Sequence, residues 1–597
     1  MSPGAEGQIR ASQVIRTWGP GALIDLPRHS GIVGGLETWP RVDRLEEIVD
    51  PRLTRKVSLL TGVVNARLFA PPPDEAAPGE QKLGIGVWRF PDWVVVQEAP
   101  GATKSERSRR LIHRRALDAK GRFEGRAVVP TRFVRACPRG HIADLDWRGF
   151  VHGPDGQCNR QLWLDERGTG GDLADLLVRC ECKKSRGLHE AAELEQKPLG
   201  SCGGSRPWLG SASREECGLP SRLLIRTAAN AYFAQVMSAL SLPEAGTEVH
   251  DAVLELWDDL QIVTAAADLG LLKRKPQVAA RLAGHGDDDV LEAIAKLKHG
   301  APYERPVKAV ELDALLAAPE GYGDDVPIDP DFHARRLPDH AWRRSALTDG
   351  VARVIALHRL REVLCLLGFT RFEAVTPDIQ GEYEGDVERA AIALEPTWFP
   401  AVENRGEGIF LALDPAAIED WLRREPVRDR LEQLVAGHAR WAAQRKSGRP
   451  FPGGPYVLCH TLSHLLMQSL AMRCGYPASS IRERIYVDYD ARRFGLMLYT
   501  ASADSEGTLG GLVAQGRHIE AHLAVALRSG GLCSNDPVCA QHSPGSGMEE
   551  RWLHGAACHG CSLIAETSCE MRNDYLDRAL VVPTLDVPDA AFFPRVP

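Results

Sequence analysis

No stretch of this chain approaches the ~20 consecutive apolar residues that a membrane-spanning helix needs. The opening residues, MSPGAEGQIR, lack the basic start and apolar core of a secretory leader. The sequence therefore reads as cytoplasmic, with no membrane association. No GxxxxGK[ST] is present, so nothing signals ATP hydrolysis by this chain, and no GxSxG nucleophile elbow is evident. Cysteine is scarce, 14 in 597 residues, which argues against a disulfide-dense secreted scaffold. Positive charge is not in excess either. The 72 Lys and Arg against 80 Asp and Glu give a net charge of −8, which excludes a globally basic nucleic-acid coat but not a local basic face. With 44% hydrophobic and 25% charged residues, the chain is an ordinary globular one, long enough for about four domains. No internal repeat recurs at periods of 20–50 residues.

The expected fold class is α+β and multidomain. Residues 1–130 read as a β-rich N-terminal domain, with short strands at Ala22–Leu26 and Gly31–Val33 between glycine-punctuated turns and another at WRFPDWVVVQ. Residues 100–126 are polar and basic and read as loop-rich. Residues 131–220 form a first zinc-binding module of hairpins and loops, a composition that rarely builds a large core. Residues 221–450 are mainly helical, since HDAVLELWDDLQIV and DVLEAIAKLKHG space apolar residues at i, i+3, i+4. Residues 451–597 form an α/β domain with a second zinc cluster. In it, TLSHLLMQSLAMRCG is a helix ending near Gly475, RERIYVDYD and FGLMLYTAS are strands around a turn at Asp490–Arg493, and HIEAHLAVALRSG is a further helix.

The few cysteines are unevenly placed. Six lie in 137–217 and five in 533–569, leaving Cys365, Cys459 and Cys474 as candidate core thiols. In a reducing compartment such clusters point to metal, and thiolate with imidazole is the donor set of structural zinc. In the first cluster, Cys180, Cys182, Cys202 and Cys217 make one four-thiolate set. Cys137, His141 and Cys158 make a second, with His152 as a further candidate. Short spacings such as Cys137-Pro-Arg-Gly-His141 reduce the chain entropy lost on chelation. The alternative is buried, metal-free cysteines. The second cluster is Cys533, Cys539, Cys558-His559-Gly560-Cys561 and Cys569, a zinc-knuckle pattern. Five cysteines exceed one tetrahedron, so one falls outside it. The alternative for CxxC is a redox dithiol, but no thioredoxin-like βαβ context surrounds it. Neither cluster has the open, His- or carboxylate-rich character of catalytic zinc.

Between Lys104 and Arg139 lie twelve basic residues against three acidic ones. Arg107, Arg109, Arg110, Arg114 and Arg115 are the candidate nucleic-acid contacts, with Phe123 and Phe133 available for stacking; the alternative is a solvated loop. His460 and His464 share a helix face. HTLSH lacks the Glu of HExxH, so buried structural histidines are the better reading. A hydrolase using His460, His464 and Asp504 is the remaining enzymatic alternative. Asp504, Glu506 and Gly507 before Gly510 and Gly511 read as a turn preceding a helix.

Four stretches give the chain a family likeness: SQVIRTWGPGALIDLP, RACPRGHIADLDW, YVLCHTLSHLLMQSLAMRCGYPASSIRERIYV and GAACHGCSLIAETSCEMRNDYLDRAL. They resemble the DrmB family, a core component of the DISARM bacterial anti-phage system. Residues ~450–585 also resemble the C-terminal zinc-binding domain of MrfA-type helicases. Cys558, Cys561 and Cys569 match that motif best; Cys533 and Cys539 match by order only. The resemblance implies a non-enzymatic, zinc-containing accessory subunit that binds a DISARM helicase, DrmA, and reaches DNA through that complex. The alternative is a stand-alone nucleic-acid-binding or regulatory zinc protein.

Overall fold

The computed structural model describes every residue except 1–6, 27–28, 74–82, 98–106, 154–155, 169–170, 194–196, 244–248, 250–251, 254, 299–304, 323–328, 330, 384–386, 503–510, 546–550 and 597. The chain divides into two compact units. One comprises Met1–Ser238, Val363–Pro377 and Tyr383–Glu403, the other Ala239–Glu362, Asp378–Glu382 and Asn404–Pro597. The architecture is α+β, and among the described residues no helix is long and apolar enough to cross a membrane.

The first unit is built from short strands. An antiparallel six-stranded sheet runs in the order Ser185–Gly187, Leu176–Cys180, Leu162–Glu166, Arg107–His113, Trp93–Val96, Val128–Pro130. Alternation along its strands makes two faces. One buries Leu111, Leu162, Leu164, Leu176 and Val178 with Trp147 and Phe150 of the helix Trp147–His152. Val94, Val96 and Ile112 form a smaller cluster of their own. The basic segment expected as loop thus contains a strand from Arg107. Its arginines do not prevent pairing because carboxylates meet them: Arg109 Nη2 lies 2.7 Å from Glu166 Oε2, and Arg110 Nη1 lies 2.8 Å from Glu124 Oε2. A second sheet, Arg222–Ile225, Phe133–Ala136 and Ile142–Ala143, carries the first cysteine turn. A third joins Leu23–Asp25, Ser30–Val33 and Val87–Arg89, close to the strands read from the sequence.

In the second unit, Ala266–Leu272, Pro276–Arg281 and Asp287–Lys298 are helices around Leu260, Leu269, Val278, Val290 and Ile294. The stretch 221–450, expected to be mainly helical, also holds the two longest strands among the described residues, Val351–Thr370 and Trp398–Leu413. VIALHRLREVLCLLGF is buried almost throughout, so it shows no two-residue alternation to distinguish it from a buried helix. Residues of these two strands are shared between the units, changing at 362/363 and 403/404. Trp398–Leu413 pairs with Arg493–Ser502, which pairs with Ile481–Asp488. The latter hairpin closes at Asp488↔Arg493, where the two side chains also form an ion pair at 2.6 Å.

Against this hairpin lies the helix Gly454–Cys474, buried on every side from Gly454 to Met467 and stopped at Gly475, whose φ is +71°. The helix Ile519–Gly530 packs on it so closely that a Cβ on Gly530 would lie 2.7 Å from Leu465 Cδ1. Their apolar side chains join those of the hairpin and of Val581, Val582 and Phe592 in one core.

Candidate metal centres

Among the described residues, the clustered cysteines, with histidines and one glutamate, converge into four quartets whose donor atoms lie within 4.8 Å of one another. The first is Cys137, His141, Cys202 and Cys217. Cys137 follows the strand Phe133–Ala136, and a turn with Gly140 at φ +87° returns the chain so that Cys137 N–H donates to the His141 carbonyl at 3.1 Å. Cys202 is brought alongside by its N–H to the Leu219 carbonyl at 2.7 Å. Gly204 is required there: at φ +65°, a Cβ would sit 1.6 Å from the Glu215 carbonyl oxygen. His141 Nδ1 is 3.4 Å from Cys137 Sγ, while its Nε2 is 2.6 Å from Glu215 Oε1. Glu215 in turn accepts from Arg206 at 2.8 Å. The carboxylate holds the proton on Nε2 and leaves the Nδ1 lone pair among the thiols, the outer-shell arrangement of a zinc-bound histidine. A hydrogen bond from Cys137 pushes the Cys202 thiol down to about 4, with His141 adding to it, and Cys137 is raised correspondingly.

The second quartet is His152, Cys158, Cys180 and Cys182. His152 ends the helix Trp147–His152. Cys180 ends the strand Leu176–Cys180, and the tight turn after it gives Cys182 N–H to Cys180 Sγ at 3.5 Å. Arg148 holds the third segment by donating to the carbonyls of Cys158 at 2.9 Å and Arg160 at 3.0 Å. Cys158 and Cys180 sulfurs are 3.7 Å apart. His152 Nε2 is buried with no hydrogen-bond partner among the described residues, a lone pair that a metal would satisfy. The structure groups these residues differently from the sets read off the sequence. Cys202 and Cys217 join Cys137 and His141, whereas Cys180 and Cys182 join Cys158, with His152 as the fourth member.

The third quartet is Cys533, Cys539, Cys558 and Cys561. Its sulfurs lie 3.4 Å (Cys533–Cys558) and 3.8 Å (Cys539–Cys561 and Cys558–Cys561) apart. The backbone N–H groups of Asn535, Cys558 and Gly560 point at the sulfurs of Cys533, Cys561 and Cys558 at 3.3–3.4 Å, and Ser562 Oγ donates to Cys561 Sγ at 3.4 Å. Such donors favour thiolate. The Cys561 thiol is pushed down to about 5, chiefly by the hydrogen bond from Cys539. Cys569 is the fifth cysteine, outside this knuckle. The chain after Cys561 follows the buried helix and hairpin, through Ser562 O to His464 Nδ1 and Ser568 O to Glu483 N, and so carries Cys569 to His460, His464 and Glu483. Cys533 and Cys539, matched by order only, complete the quartet with Cys558 and Cys561.

His460 and His464 are fully buried, as the structural reading expected, but they form part of a constellation including Glu483, a residue the sequence reading did not single out. Asp504, Glu506, Gly507 and Gly510 lie outside the described residues. Cys365 and Cys459 are buried thiols, Cys459 pushed up to about 12 by burial. Cys474 is half-buried and faces the Gly511 carbonyl at 3.9 Å. In the basic stretch, Arg114 pairs with Asp92 at 2.7 Å, Arg109 and Arg110 pair as described, and Arg115 is exposed. The Arg107 side chain lies outside the described set.

A family model described as the MrfA Zn-binding domain matches residues 462–562, a span holding all four cysteines of the third quartet. A second, described as a domain of unknown function (DUF8724), matches residues 10–233. With these donor sets and that domain, zinc is the cofactor of this chain. A DISARM protein DrmB of Bacillus paralicheniformis is 33% identical over 481 residues, which covers 78% of this chain and 83% of the relative. The chain belongs to the DrmB family of DISARM proteins.

Proposed function

We propose that this chain is a non-enzymatic, zinc-stabilised accessory subunit that partners a DISARM helicase of the DrmA type and acts with it on DNA in bacterial defence against phage. The observation that carries this reading is the identity to a DISARM DrmB protein along most of both chains. The quartets support it. Each offers four protein donors, which closes a zinc coordination sphere and leaves no open position for a substrate. In this reading Cys137, His141, Cys202 and Cys217 hold one zinc, His152, Cys158, Cys180 and Cys182 a second, and Cys533, Cys539, Cys558 and Cys561 a third. Each cross-links segments distant in sequence, where metal binding becomes folding free energy. ATP turnover belongs to the partner, consistent with a sequence holding no GxxxxGK[ST].

Co-expression with a DISARM helicase of the DrmA type tests the assignment. A complex that survives nuclease treatment, with ATPase activity only when the helicase is present, is the expected result. ATP hydrolysis by this chain alone, or tight sequence-preferring DNA binding without any partner, overturns it and leaves a stand-alone protein. The DNA face is probed at exposed cations. Arg109, Arg110 and Arg114 already meet carboxylates, so reversing them would place like charges together. Arg115→Glu with Lys120→Glu is the cleaner variant, since both side chains are exposed. It is expected to weaken DNA binding by the complex and flatten its salt dependence. Unchanged affinity removes this segment from the interface.

A further inference from the structure

The fourth quartet lies outside the cysteine knuckle and is not a set of four thiols. His460 and His464 stand one turn apart on the buried helix Gly454–Cys474, Glu483 is on the strand Ile481–Asp488, and Cys569 is on the segment beyond the knuckle. Both histidines show 0% exposure, Glu483 3% and Cys569 8%. Two of these residues, His460 and Cys569, fall outside the span matched by the zinc-binding-domain model.

With both imidazoles neutral, the hydrogen-bond inventory does not close on its own. The Ser562 carbonyl lies 2.8 Å from His464 Nδ1, and a carbonyl only accepts, so Nδ1 carries the proton. In the neutral ring Nε2 is then a bare lone pair, yet it faces Glu483 Oε1 at 3.3 Å. Two acceptors cannot satisfy each other across that gap. His460 Nε2 meets the same oxygen at 3.0 Å and Cys569 Sγ at 3.1 Å, so at most one proton would be shared between two acceptors. Nearby donors are already aimed at the acid groups from outside the cluster. Ser463 Oγ donates to Glu483 Oε2, Glu570 N–H to Glu483 Oε1 at 3.2 Å, and Asn573 N–H to Cys569 Sγ at 3.1 Å. Burial on its own pushes the Cys569 thiol up, and these donors supply from outside the support that a metal-bound carboxylate and thiolate would need.

A divalent cation resolves each of these conflicts. Two imidazole lone pairs, one thiolate and one carboxylate are all zinc donors, and metal–ligand bonds of 2.0–2.3 Å give tetrahedral edges of about 3.3–3.8 Å. The pairs above, at 3.0–3.3 Å, are of that size or slightly tighter. One thiolate and one carboxylate also cancel a 2+ charge, which is what a fully buried site requires. We propose that His460 Nε2, His464 Nε2, Glu483 and Cys569 Sγ bind a further structural zinc ion. Ser562 next to the knuckle acts as its outer support, since its carbonyl fixes the His464 tautomer. The bound ion fastens the segment after the knuckle to the central helix and hairpin of the second unit. This inference is independent of the helicase-subunit reading and of how many of the other quartets are filled.

Zinc-edge anomalous diffraction from the full-length chain, purified under reducing conditions without added metal, tests it directly. A peak is expected within bonding distance of all four donor atoms, and elemental analysis of Cys569→Ser should show one zinc fewer per chain than the parent. The anomalous map stands even if that variant fails to fold. Absence of a peak among these four residues, while the knuckle Cys533, Cys539, Cys558 and Cys561 shows one, overturns the proposal. So does a Cys569→Ser protein that folds and keeps the full parental zinc content.

Discussion

Replacing Arg371 with Met should open the first unit locally while leaving the second untouched. Arg371 is 0% exposed, and its guanidinium forks to three backbone carbonyls. Nε donates to Gly140 O at 2.8 Å, Nη2 to Gly21 O at 2.7 Å, and Nη1 to Ala231 O. It also lies over the Phe369 ring at 4.9 Å and near Trp208 at 5.9 Å. The side chain therefore ties the Cys137–His141 turn to the N-terminal glycine turn. Met fills similar volume but donates nothing, and each orphaned buried carbonyl costs about 1–3 kcal/mol. Part of that is returned, because burial penalises the cation enough to bring its pKa down to about 9. A net loss of about 3–5 kcal/mol is expected from three such carbonyls together, less that return. The assay is amide hydrogen exchange, because a chain of two units need not unfold in one step. Amides of Gly21 and Val33, and of Cys137 and Gly140, are bonded within the affected turns. Their exchange should accelerate at least ~150-fold, the equivalent of about 3 kcal/mol, while the helix Gly454–Cys474 is unchanged. Arg371→Lys keeps the charge but not the fork and should fall between. Exchange within threefold of the parent in Arg371→Met would refute the account.

Glu215→Ala should lower zinc affinity at Cys137, His141, Cys202 and Cys217 by about 10–100-fold, the usual effect of losing an outer-shell carboxylate; chelator competition measures it, and an unchanged affinity rejects the tautomer argument. Cys558→Ser should release one zinc and render Cys533, Cys539 and Cys561 reactive to thiol reagents, whereas Cys365 and Cys459 stay protected. Continued protection of all three would mean the knuckle holds without metal. Asp144 gives a pH signature. Burial pushes its carboxyl up to about 6, although it accepts from the Asp92 and Trp93 N–H groups at 3.0 and 3.1 Å. A folded-state pKa above the unfolded value means its contribution is fully present below about pH 4 and is lost as pH rises through 6. The melting-temperature difference between the parent and Asp144→Asn should therefore shrink across that window, and a flat difference would show that the carboxyl titrates normally.

The elements most legible in the sequence were those with local punctuation. The helix ending at Gly475 and the hairpin around Asp490–Arg493 are set by a left-handed cap and a paired turn, both written in adjacent residues. The long strand Val351–Thr370 was not legible. Burial on both sides removes the alternation that marks a strand, and tertiary pairing decides the matter. The strand Arg107–His113 failed for the opposite reason. Its charges suggested solvent, and only the fold supplies Glu166 and Glu124 to meet them.

Metal-binding residue types were legible; their partners were not. Spacing records how close two ligands are along the chain, whereas a quartet is closed by strand pairing. Cys180 and Cys182 share a turn, but the N–H of Glu181 donates to the Gln161 carbonyl at 2.9 Å, which fixes that turn beside the segment from Cys158. Cys202 is set apart from them because residues 201 and 220 bridge, and Ser205 O accepts from Ile142 N at 3.1 Å, which puts it beside His141. Glu483 carried no signal at all. An acid within RERIYVDYD is ordinary for a strand, and Glu483 becomes a donor only because the helix above presents His460 and His464 about one turn apart. The residues least visible in the sequence are therefore those whose chemistry is created by packing: a carboxylate buried at 3% exposure between two histidines and a thiol cannot remain a bystander, since something positive must share that space.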